Sequence, residues 1–348
     1  MMKKSILLAM SLGAIVLFAH SAQAQDTVTF TFTSFDVPFS GASNTKAFAI
    51  NPGGDVVGRY FDANFGGNPR GFLLYSDGTY APPIDVPVAN TGTVLRDINA
   101  SGDMAGKYFD ATNPDATHGF FMSARGAFSS FDVTLSGAIG GTTVANSLNN
   151  HGQIVGHYSV TTSIPGCTGT FALPHGFLLD TTGTFTDIAF PGAIATRAKG
   201  IDDSENIVGF YIMVPNPPSS CDTSALVTAH GFLRDRKGNY TTLDPPASYG
   251  AQETIVNRID DAGDLTGAYS TVQLTFAKFL GDTELSPGTT AYDFVLWNNG
   301  TFTSFETMLG VGGIPLGINP RGTVVGFYED DAGDDHGFIG TVNRRPCP

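Results

Sequence analysis

Three basic residues occupy equivalent positions in the first half of the chain, each between a glycine and a tyrosine. They are Arg59, Lys107 and His157. Three later copies of the same tripeptide carry Phe210, Ala268 and Phe327 in that place. If these side chains line a pocket, one side of it is basic and the other apolar, which suits a ligand with an anionic group. If they lie between packed repeats, the pattern reflects packing alone.

Carboxylates stand two residues after three of the repeated tyrosines, at Asp62, Asp110 and Asp330. An acidic run continues from the last of these through Asp331, Asp334 and Asp335. Carboxylate oxygens are the hard ligands that calcium takes, although this spacing is not that of an EF-hand loop. The sequence therefore predicts ligand binding at Asp62 and Asp110, and a calcium site formed by Asp330, Asp331, Asp334 and Asp335. The alternative is a solvated acidic loop whose aspartates cap turns.

A histidine precedes Gly-Phe in four further places. These are His118, His175, His230 and His336. Imidazoles that converge on a channel are able to bind a metal ion. A residue repeated at one place in each unit is better explained by one structural role, so we predict a hydrogen bond. The repeated tyrosines are interpreted likewise, as packing residues with a bonded hydroxyl.

These residues belong to six copies of one repeat. Each copy ends an apolar stretch with Ile or Leu and then Asn or Asp, turns, and continues as an apolar strand that reaches a glycine. These glycines stand 48 to 59 residues apart, at Gly58, Gly106, Gly156, Gly209, Gly267 and Gly326. A period near 50 residues with about four short strands per unit is typical of β-propeller blades. We therefore predict an all-β fold whose blades each contain strands a, b, c and d.

The two ends of the chain carry complementary parts of a repeat. Residues 32–36 resemble a d strand with no blade before it, and residues 336–342 resemble a c strand with no d strand after it. We predict a closed six-bladed β-propeller in which the N-terminal strand completes the last blade. The alternative is an open β-solenoid of stacked repeats. The b–c connections vary most in length, which favours their face as the binding face.

The repeat motifs resemble those of the extracellular HAF-type repeat family. That family carries an Ile-Asn-x-x-Gly-x-Val-Val-Gly segment, which matches residues 50–58 and 318–326, and a His-Ala-Phe triplet, which is His-Gly-Phe here. The resemblance extends from about Phe32 to Val342. Arg70-Gly-Phe and Tyr292-Asp-Phe depart from the triplet, which indicates that the histidine is not a strict chemical requirement. The resemblance implies secretion and propeller-like β repeats, and it implies no defined activity.

The N-terminal residues have the order of a secretory signal peptide. A basic start at Lys3 and Lys4 precedes an apolar run that is short for a membrane span, and then Ala22-Gln23-Ala24. We predict a signal peptide over residues 1–24 and one six-repeat domain over residues 25–348; the alternative is an uncleaved anchor. The mature chain is then expected to be extracellular or periplasmic, with no membrane span. Loss of the two lysines takes the formal charge from −14 to −16, which disfavours nucleic acid and anionic lipid as partners.

Two of the three cysteines lie in b–c connections of neighbouring repeats. Cys167 and Cys221 occupy similar places after their tyrosines, so we predict a disulfide that ties the two loops together. The alternative is a pair of free thiols. Cys347 is left over, either free or paired between molecules.

Three functions fit these observations. The sequence has no Gly-x-Ser-x-Gly, His-Glu-x-x-His, Cys-x-x-Cys or phosphate-loop motif. We therefore expect a non-catalytic binding protein whose partner is a glycan, another extracellular polymer or a protein. Its loop face should expose aromatic side chains such as Phe61, Phe65 and Phe109. The alternatives are a polysaccharide lyase or hydrolase with its site at the top of the channel, and a calcium-stabilised envelope or matrix protein.

Overall fold

The structure is a computed structural model that describes residues 27–345 except 89, 215–220, 222, 223, 225, 274, 276–290 and 306–312. The predicted signal peptide and Cys347 lie outside the described residues. Within the described part, none of the helices has the length and apolar composition needed to cross a membrane. The regular structure of the described residues consists of β-strands and two single-turn 3₁₀ helices, Ala63–Phe65 and Ala247–Tyr249.

The strands form six antiparallel sheets, which we call blades 1 to 6. Blade 1 contains β2 (Ala42–Ile50), β3 (Val56–Asp62) and β4 (Asn68–Leu74). Blade 2 contains β5 (Asn90–Ile98), β6 (Met104–Asp110), β7 (Thr117–Met122) and β8 (Phe128–Phe131). Blade 3 contains β9 (Val144–Leu148), β10 (Ile154–Thr162), β11 (Phe171–Leu179) and β12 (Phe185–Ile188).

The remaining blades repeat this order of strands a, b, c and d. Blade 4 contains β13 (Ala195–Ile201), β14 (Ile207–Met213), β15 (Thr228–Arg234) and β16 (Tyr240–Leu243). Blade 5 contains β17 (Glu253–Ile259), β18 (Leu265–Ser270), β19 (Ala291–Leu296) and β20 (Phe302–Phe305). Blade 6 contains β21 (Gly313–Ile318), β22 (Val324–Glu329), β23 (Asp335–Arg345) and, as its outer strand, β1 (Thr27–Phe35).

The ring is closed by the two ends of the chain. Strand β1 pairs antiparallel with β23 along its whole length, from Thr27 opposite Arg345 to Phe35 opposite Gly337. Each innermost strand also contacts the innermost strand of the next blade, and β21 contacts β2. The prediction of a closed six-bladed β-propeller is confirmed, and the open solenoid is wrong. Blade 1 differs from the others because its outer strand is reduced to bridges that Tyr80 and Ile84 make to β4.

Alternation along strand b explains why both faces of each blade are apolar. Val56 and Val57 point to opposite faces of blade 1. Val56 packs in a cluster with Val325 of blade 6, whereas Val57 packs with Leu95 of blade 2. Each blade is therefore buried between two neighbours, and the core is a series of layers between blades.

A β-bulge interrupts strand a of every blade at the same place. The residue two positions before the Ile or Leu of each repeat has no partner in the ladder with strand b. These residues are Phe48, Arg96, Asn146, Lys199, Asn257 and Leu316. A bulge leaves the extra residue outside the ladder, so its carbonyl is free to find another donor. Because strand a is innermost, these carbonyls lie near the axis of the ring.

The glycine that ends each repeat motif allows strands a and b to approach closely at this place. A Cβ on Gly106 would collide with the carbonyl oxygen of Val94 in β5 and would lie 3.0 Å from the ring of Phe120. The equivalent glycines of the other five blades face the equivalent carbonyl in the same way. A side chain there would force the bulge and the neighbouring ring apart.

We expect Gly106→Ala to destabilise the protein by about 1–3 kcal/mol or more, because overpacking displaces both the backbone and Phe120. The matched control is Gly140→Ala, since a Cβ at Gly140 meets no atom within 4 Å and its φ is not in the left-handed region. Urea unfolding of both variants measures the difference. Equal stability of the two variants would show that the close approach is not required.

Candidate functional site

The axis of the propeller is occupied by one buried guanidinium. Arg258, the residue after the bulge of blade 5, is 7% exposed. Its nitrogens lie within hydrogen-bond distance of the bulge carbonyls of all five other blades. Nη2 donates to Phe48 O (3.3 Å) and Arg96 O (3.0 Å), Nη1 to Asn146 O (3.2 Å) and Lys199 O (3.5 Å), and Nε to Leu316 O (3.4 Å). One side chain thus connects every blade.

Asp97 of blade 2 is the counter-ion of this guanidinium. Its Oδ2 accepts from Arg258 Nη1 at 2.9 Å and from Ser147 Oγ at 2.6 Å, and Leu148 N donates to the same oxygen at 2.9 Å. Burial lowers the pKa of Arg258, and Asp97 opposes that effect. A buried ion pair is favourable only when hydrogen bonds satisfy both partners, which is the case here.

The cavities next to Arg258 are small. A cavity of about 10 Å³ is lined by the bulge residues, and one of about 50 Å³ opens on the side of the a–b turns. One water molecule takes about 30 Å³ of liquid, so these spaces fit water rather than a sugar. The axis at the level of Arg258 therefore carries a structural ion pair.

The three basic residues predicted to bind ligand each contact a different neighbour. Arg59 donates to Asn44 O (3.3 Å), lies 3.9 Å from Asp335 Oδ2, and covers the ring of Phe61 at 4.2 Å. Lys107 is buried over Phe109 at 4.8 Å. His157 is buried, and its Nδ1 lies 3.0 Å from Nδ2 of Asn146, a residue that lines the smaller axial cavity. Anion binding by these three residues stays a prediction.

The aromatic residues expected on a polymer-binding face are half-buried. Phe61, Phe65 and Phe109 each lie against a cation. The guanidinium over Phe65 is that of Arg70, at 5.2 Å. These pairs stabilise the b–c connections through cation–π contact. The expectation of exposed aromatic platforms at these three positions is therefore not met.

The carboxylates after the tyrosines of blades 1 and 2 each lie beside a side chain on strand c of the same blade. Arg70 Nη1 lies 3.1 Å from Asp62 Oδ2, and His118 Nε2 lies 3.5 Å from Asp110 Oδ2. Asp62 also accepts the backbone N–H of Asn64, and Asp110 accepts that of Thr112. Hydrogen bonds from Thr112 lower the pKa of Asp110. Both carboxylates thus cap turns, as the structural alternative predicted.

The repeated histidines bond to an aspartate that lies in strand d or directly follows it. Nδ1 of the four histidines lies 2.8–3.2 Å from a carboxylate oxygen of Asp132, Asp187, Asp244 or Asp36. The hydrogen bond to Asp244 raises the pKa of His230, and burial opposes it. The hydroxyls of the repeated tyrosines in blades 2 to 6 also bond, for example Tyr108 to Ser130 at 2.8 Å. The predicted hydrogen bonds are confirmed for the histidines and for five of the six tyrosines, whereas the Tyr60 hydroxyl of blade 1 is buried without a partner among the described residues.

The four residues predicted to bind calcium lie in the acidic loop between β22 and β23 and at the first residue of β23, Asp335. Asp330 Oδ1 accepts the backbone N–H groups of Ala332 and Asp334, which makes it a turn cap. Asp335 Oδ2 lies 3.1 Å from Lys46 Nζ. Asp331 and Asp334 are exposed. Among the residues that the structure describes, no group of three or more His, Cys, Asp or Glu side chains is arranged to hold a metal ion.

A groove of about 230 Å³ lies on the b–c face, where this loop meets the start of β2. Its lining includes Asp36, Ser43, Asn44, Thr45, Asp334 and His336. Asn44 has a φ of +52° beside a second irregularity in the pairing of β2 with β3. Its Oδ1 accepts the backbone N–H of Asp335 at 3.1 Å, which ties blade 1 to blade 6. This groove could not be predicted from the sequence, because Asn44 and Asp335, on its two sides, are 291 residues apart in the chain.

The predicted disulfide is confirmed. Cys167 and Cys221 are bonded, with 5.4 Å between their Cα atoms. The bond connects the b–c connection of blade 3 to that of blade 4. Cys167 also packs against the apolar cluster that includes Phe210 and Ala268. The bond therefore fixes two long loops on the same face as the groove.

Comparison with known proteins gives no family for the chain. No protein-family model and no curated protein sequence matches the chain. Among solved structures it is similar to a subtype N11 neuraminidase-like protein of A/flat-faced bat/Peru/033/2010 (H18N11), with 11% identity and a TM-score of 0.32. The match covers 90% of this chain and 94% of that one. At this identity and TM-score the similarity has no bearing on activity or ligand.

We expect Arg258→Met to lower the free energy of unfolding by about 3–5 kcal/mol, because it leaves Asp97 buried without its counter-ion. The matched control is Arg236→Met, since Arg236 is 75% exposed and its pair with Glu205 is a surface pair worth at most about 1 kcal/mol. Asp97→Asn combined with Arg258→Met should recover part of the loss. If urea unfolding gives the same stability for Arg258→Met and Arg236→Met, the axial ion pair is not a main support of the ring.

Calcium binding by the acidic loop stays a prediction, and it has a direct measurement. If Asp330, Asp331, Asp334 and Asp335 bind the ion, added calcium should raise the unfolding temperature above that in chelator by mass action. Asp331→Asn combined with Asp334→Asn should abolish the difference. Identical unfolding temperatures with chelator and with calcium would reject the site.

Proposed function

We propose that the chain is a secreted, non-catalytic binding protein whose ligand is a neutral glycan or a similar hydroxyl-rich extracellular polymer. The observation that carries the proposal is the groove between blades 6 and 1 on the b–c face. The disulfide and the predicted signal peptide support secretion, because disulfides persist in oxidising compartments.

The lining of the groove matches the chemistry of sugar hydroxyls. The carboxylates of Asp36 and Asp334 accept hydrogen bonds, and the hydroxyl of Ser43 both donates and accepts. A hydrogen bond from a hydroxyl to a carboxylate is stronger than one between neutral groups. Both aspartates are exposed, so their oxygens are accessible to a ligand. The nearest cations, Lys46 and Arg59, are directed at Asp335.

The charge of this region selects against anionic polymers. Four aspartates stand in residues 330–335. The full chain has a formal charge of −14, which becomes −16 when cleavage of the predicted signal peptide removes Lys3 and Lys4. Like charges repel uronic-acid or sulfated polymers, whereas neutral hydroxyls find acceptors. A neutral polymer is therefore favoured over an anionic one.

The size of the groove favours a polymer over a free small molecule. Pockets that enclose drug-sized ligands have volumes of about 300–1,000 Å³. The groove has about 230 Å³ and opens on the surface between two blades. It fits one unit of a chain that continues over the neighbouring connections. The rigid blades on both sides supply a preorganised surface, which reduces the entropic cost of binding.

The experiment is retention of the mature protein on neutral and anionic insoluble polysaccharides, with released fragments measured in the same samples. We expect retention on a neutral polymer without released sugars. Asp334→Ala should weaken retention by about 10- to 100-fold, since one charge-assisted hydrogen bond is worth about 1.5–3 kcal/mol. Asp115→Ala is the control, because Asp115 is an exposed aspartate in the b–c connection of blade 2. This substitution removes the same charge as Asp334→Ala but lies away from the groove.

Each other result has a definite meaning. Equal retention of Asp334→Ala and wild type would place the ligand elsewhere on the propeller. Released sugars would make the protein a lyase or hydrolase and direct attention to Arg59, Lys107 and His157. If the protein is neither retained nor active on any polysaccharide, the polymer proposal is wrong and a protein partner is favoured.

A further inference from the structure

Six buried side chains surround the axis on the face of the a–b turns, one at the start of each turn, and we call them the axial ring. They are Asn51, Asn99, Asn149, Asp202, Asp260 and Asn319. In all six, Oδ1 accepts the backbone N–H of the residue four positions later, at 2.8–3.2 Å. The ring members therefore differ only in their second side-chain atom.

In the four asparagines the second atom is the donor Nδ2, and it connects one blade to the next. Asn319 donates to Asn51 O, Asn51 to Asn99 O, Asn99 to Asn149 O, and Asn149 to Asp202 O, all at 3.2–3.4 Å.

Three of these amides also bond within their own turn, and for Asn149 the acceptor is Gln153 Oε1, at 2.7 Å. Asn51 Nδ2 donates to Asp55 Oδ2 at 3.1 Å, and Asn99 Nδ2 donates to Asp103 Oδ2 at 3.3 Å. In these two turns the aspartate stands four residues after the ring residue. The donor there thus lies between a carbonyl of the next blade and a carboxylate of its own turn.

The two aspartates of the ring have an oxygen in place of this donor. At Asp202, the residue four positions later is Asn206, whose Nδ2 donates to Asp202 Oδ2 at 2.8 Å. At Asp260, the equivalent residue is Asp264, a carboxylate that is 5% exposed. Oδ2 of Asp260 is buried, and among the described residues it has no hydrogen-bond partner. Asp260 also lines the 50 Å³ cavity on the axis.

The charged groups around Asp260 are mostly negative. Asp261 and Asp264 belong to the same turn, and Asp202 and Asp203 belong to the turn of blade 4. Asp97 lies across the cavity, and Arg258 directs its guanidinium to Asp97 and to the bulge carbonyls. Arg321, in the turn of blade 6, is exposed. An ionised Asp260 would add one more buried negative charge, and among the described residues its Oδ2 would have no donor.

We propose that at acidic pH Asp260 is protonated in the folded protein and that its carboxyl O–H donates to Asp264, in the way that the Asn99 amide donates to Asp103. The pair of Asp260 and Asp264 then binds one proton, which takes the place of the missing amide hydrogen. The stability of blade 5 at the axis consequently depends on pH, in a protein that meets the pH of its surroundings directly if it is secreted.

The titration of Asp260 supports this assignment. Burial, aided by the neighbouring carboxylates of Asp264 and Asp261, raises the pKa of Asp260 to about 6, against the opposing effect of the backbone N–H groups of Asp264 and Ala262. The folded pKa is above the ordinary value of 3.8, so the folded state binds more protons between about pH 4 and pH 6. Stability from this group is complete below about pH 4 and is lost as the pH rises through 6.

The test is urea unfolding of the wild type and of Asp260→Asn between pH 4 and pH 7. Asparagine supplies a donor at every pH, as it does in four of the six turns. We expect the unfolding equilibrium constant of the wild type to rise about 100-fold relative to the variant over this range, since one pKa unit corresponds to a tenfold change. The control is Asp202→Asn, because Asn206 already donates to Asp202. This variant should not be more stable than the wild type at pH 7, whereas Asp260→Asn should be.

Two results would overturn the proposal. One is a pH profile of Asp260→Asn parallel to that of the wild type. The other is an Asp260 carboxyl carbon resonance in the wild-type protein that titrates near pH 4 instead of near pH 6. The resonance is measured in the wild type, so it decides the question even if the variant does not fold.

Discussion

The hydrogen bonding of one guanidinium at the axis sets the geometry of the whole propeller. Arg258 satisfies bulge carbonyls of the five other blades, and Asp97 neutralises it. Those carbonyls are available because each strand a carries a β-bulge, and the bulge is possible because a glycine on strand b leaves room for it. The glycine of the repeat, the bulge and the guanidinium of Arg258 therefore depend on one another. A substitution at any of them removes support from the others, since a buried cation without its acceptors is costly.

Features that recur in every blade could be predicted from the sequence. The six glycines, the histidine blocks and the complementary chain ends gave the number of blades, the strand order and the closure between β1 and β23. Repetition made this possible, because six copies of one pattern reveal which positions the fold requires. The disulfide could be predicted as well, since Cys167 and Cys221 stand at matching places in adjacent repeats.

Features that depend on one blade differing from the others could not be predicted. The position of Arg258 holds Ala49, Asp97, Ser147, Gly200 or Gly317 in the other repeats. Arg258 and Asp97 are oppositely charged residues at a position that is small or polar in the other repeats, which was a signal for the axial ion pair. The other acceptors of Arg258 are backbone carbonyls, and no pattern of side chains reveals them. The groove was equally hidden, because Asn44 and Asp335 meet only after the ring has closed. The ion pair of Asp62 with Arg70 likewise depends on the pairing of strands b and c.

This division separates structural from functional candidates in the molecule. Residues identical in most blades, such as the histidines and tyrosines, are bonded within their own blade and serve the fold. Residues that break the repeat are either compensated nearby, as Asp202 is by Asn206, or carry an unmatched group, as Asp260 does. Unmatched groups cost free energy, so a stable fold retains few of them. The exposed carboxylates beside the groove differ from Asp260, because water solvates them at no such cost. A ligand that replaces this water with hydroxyl groups can therefore bind there without rearrangement of the blades.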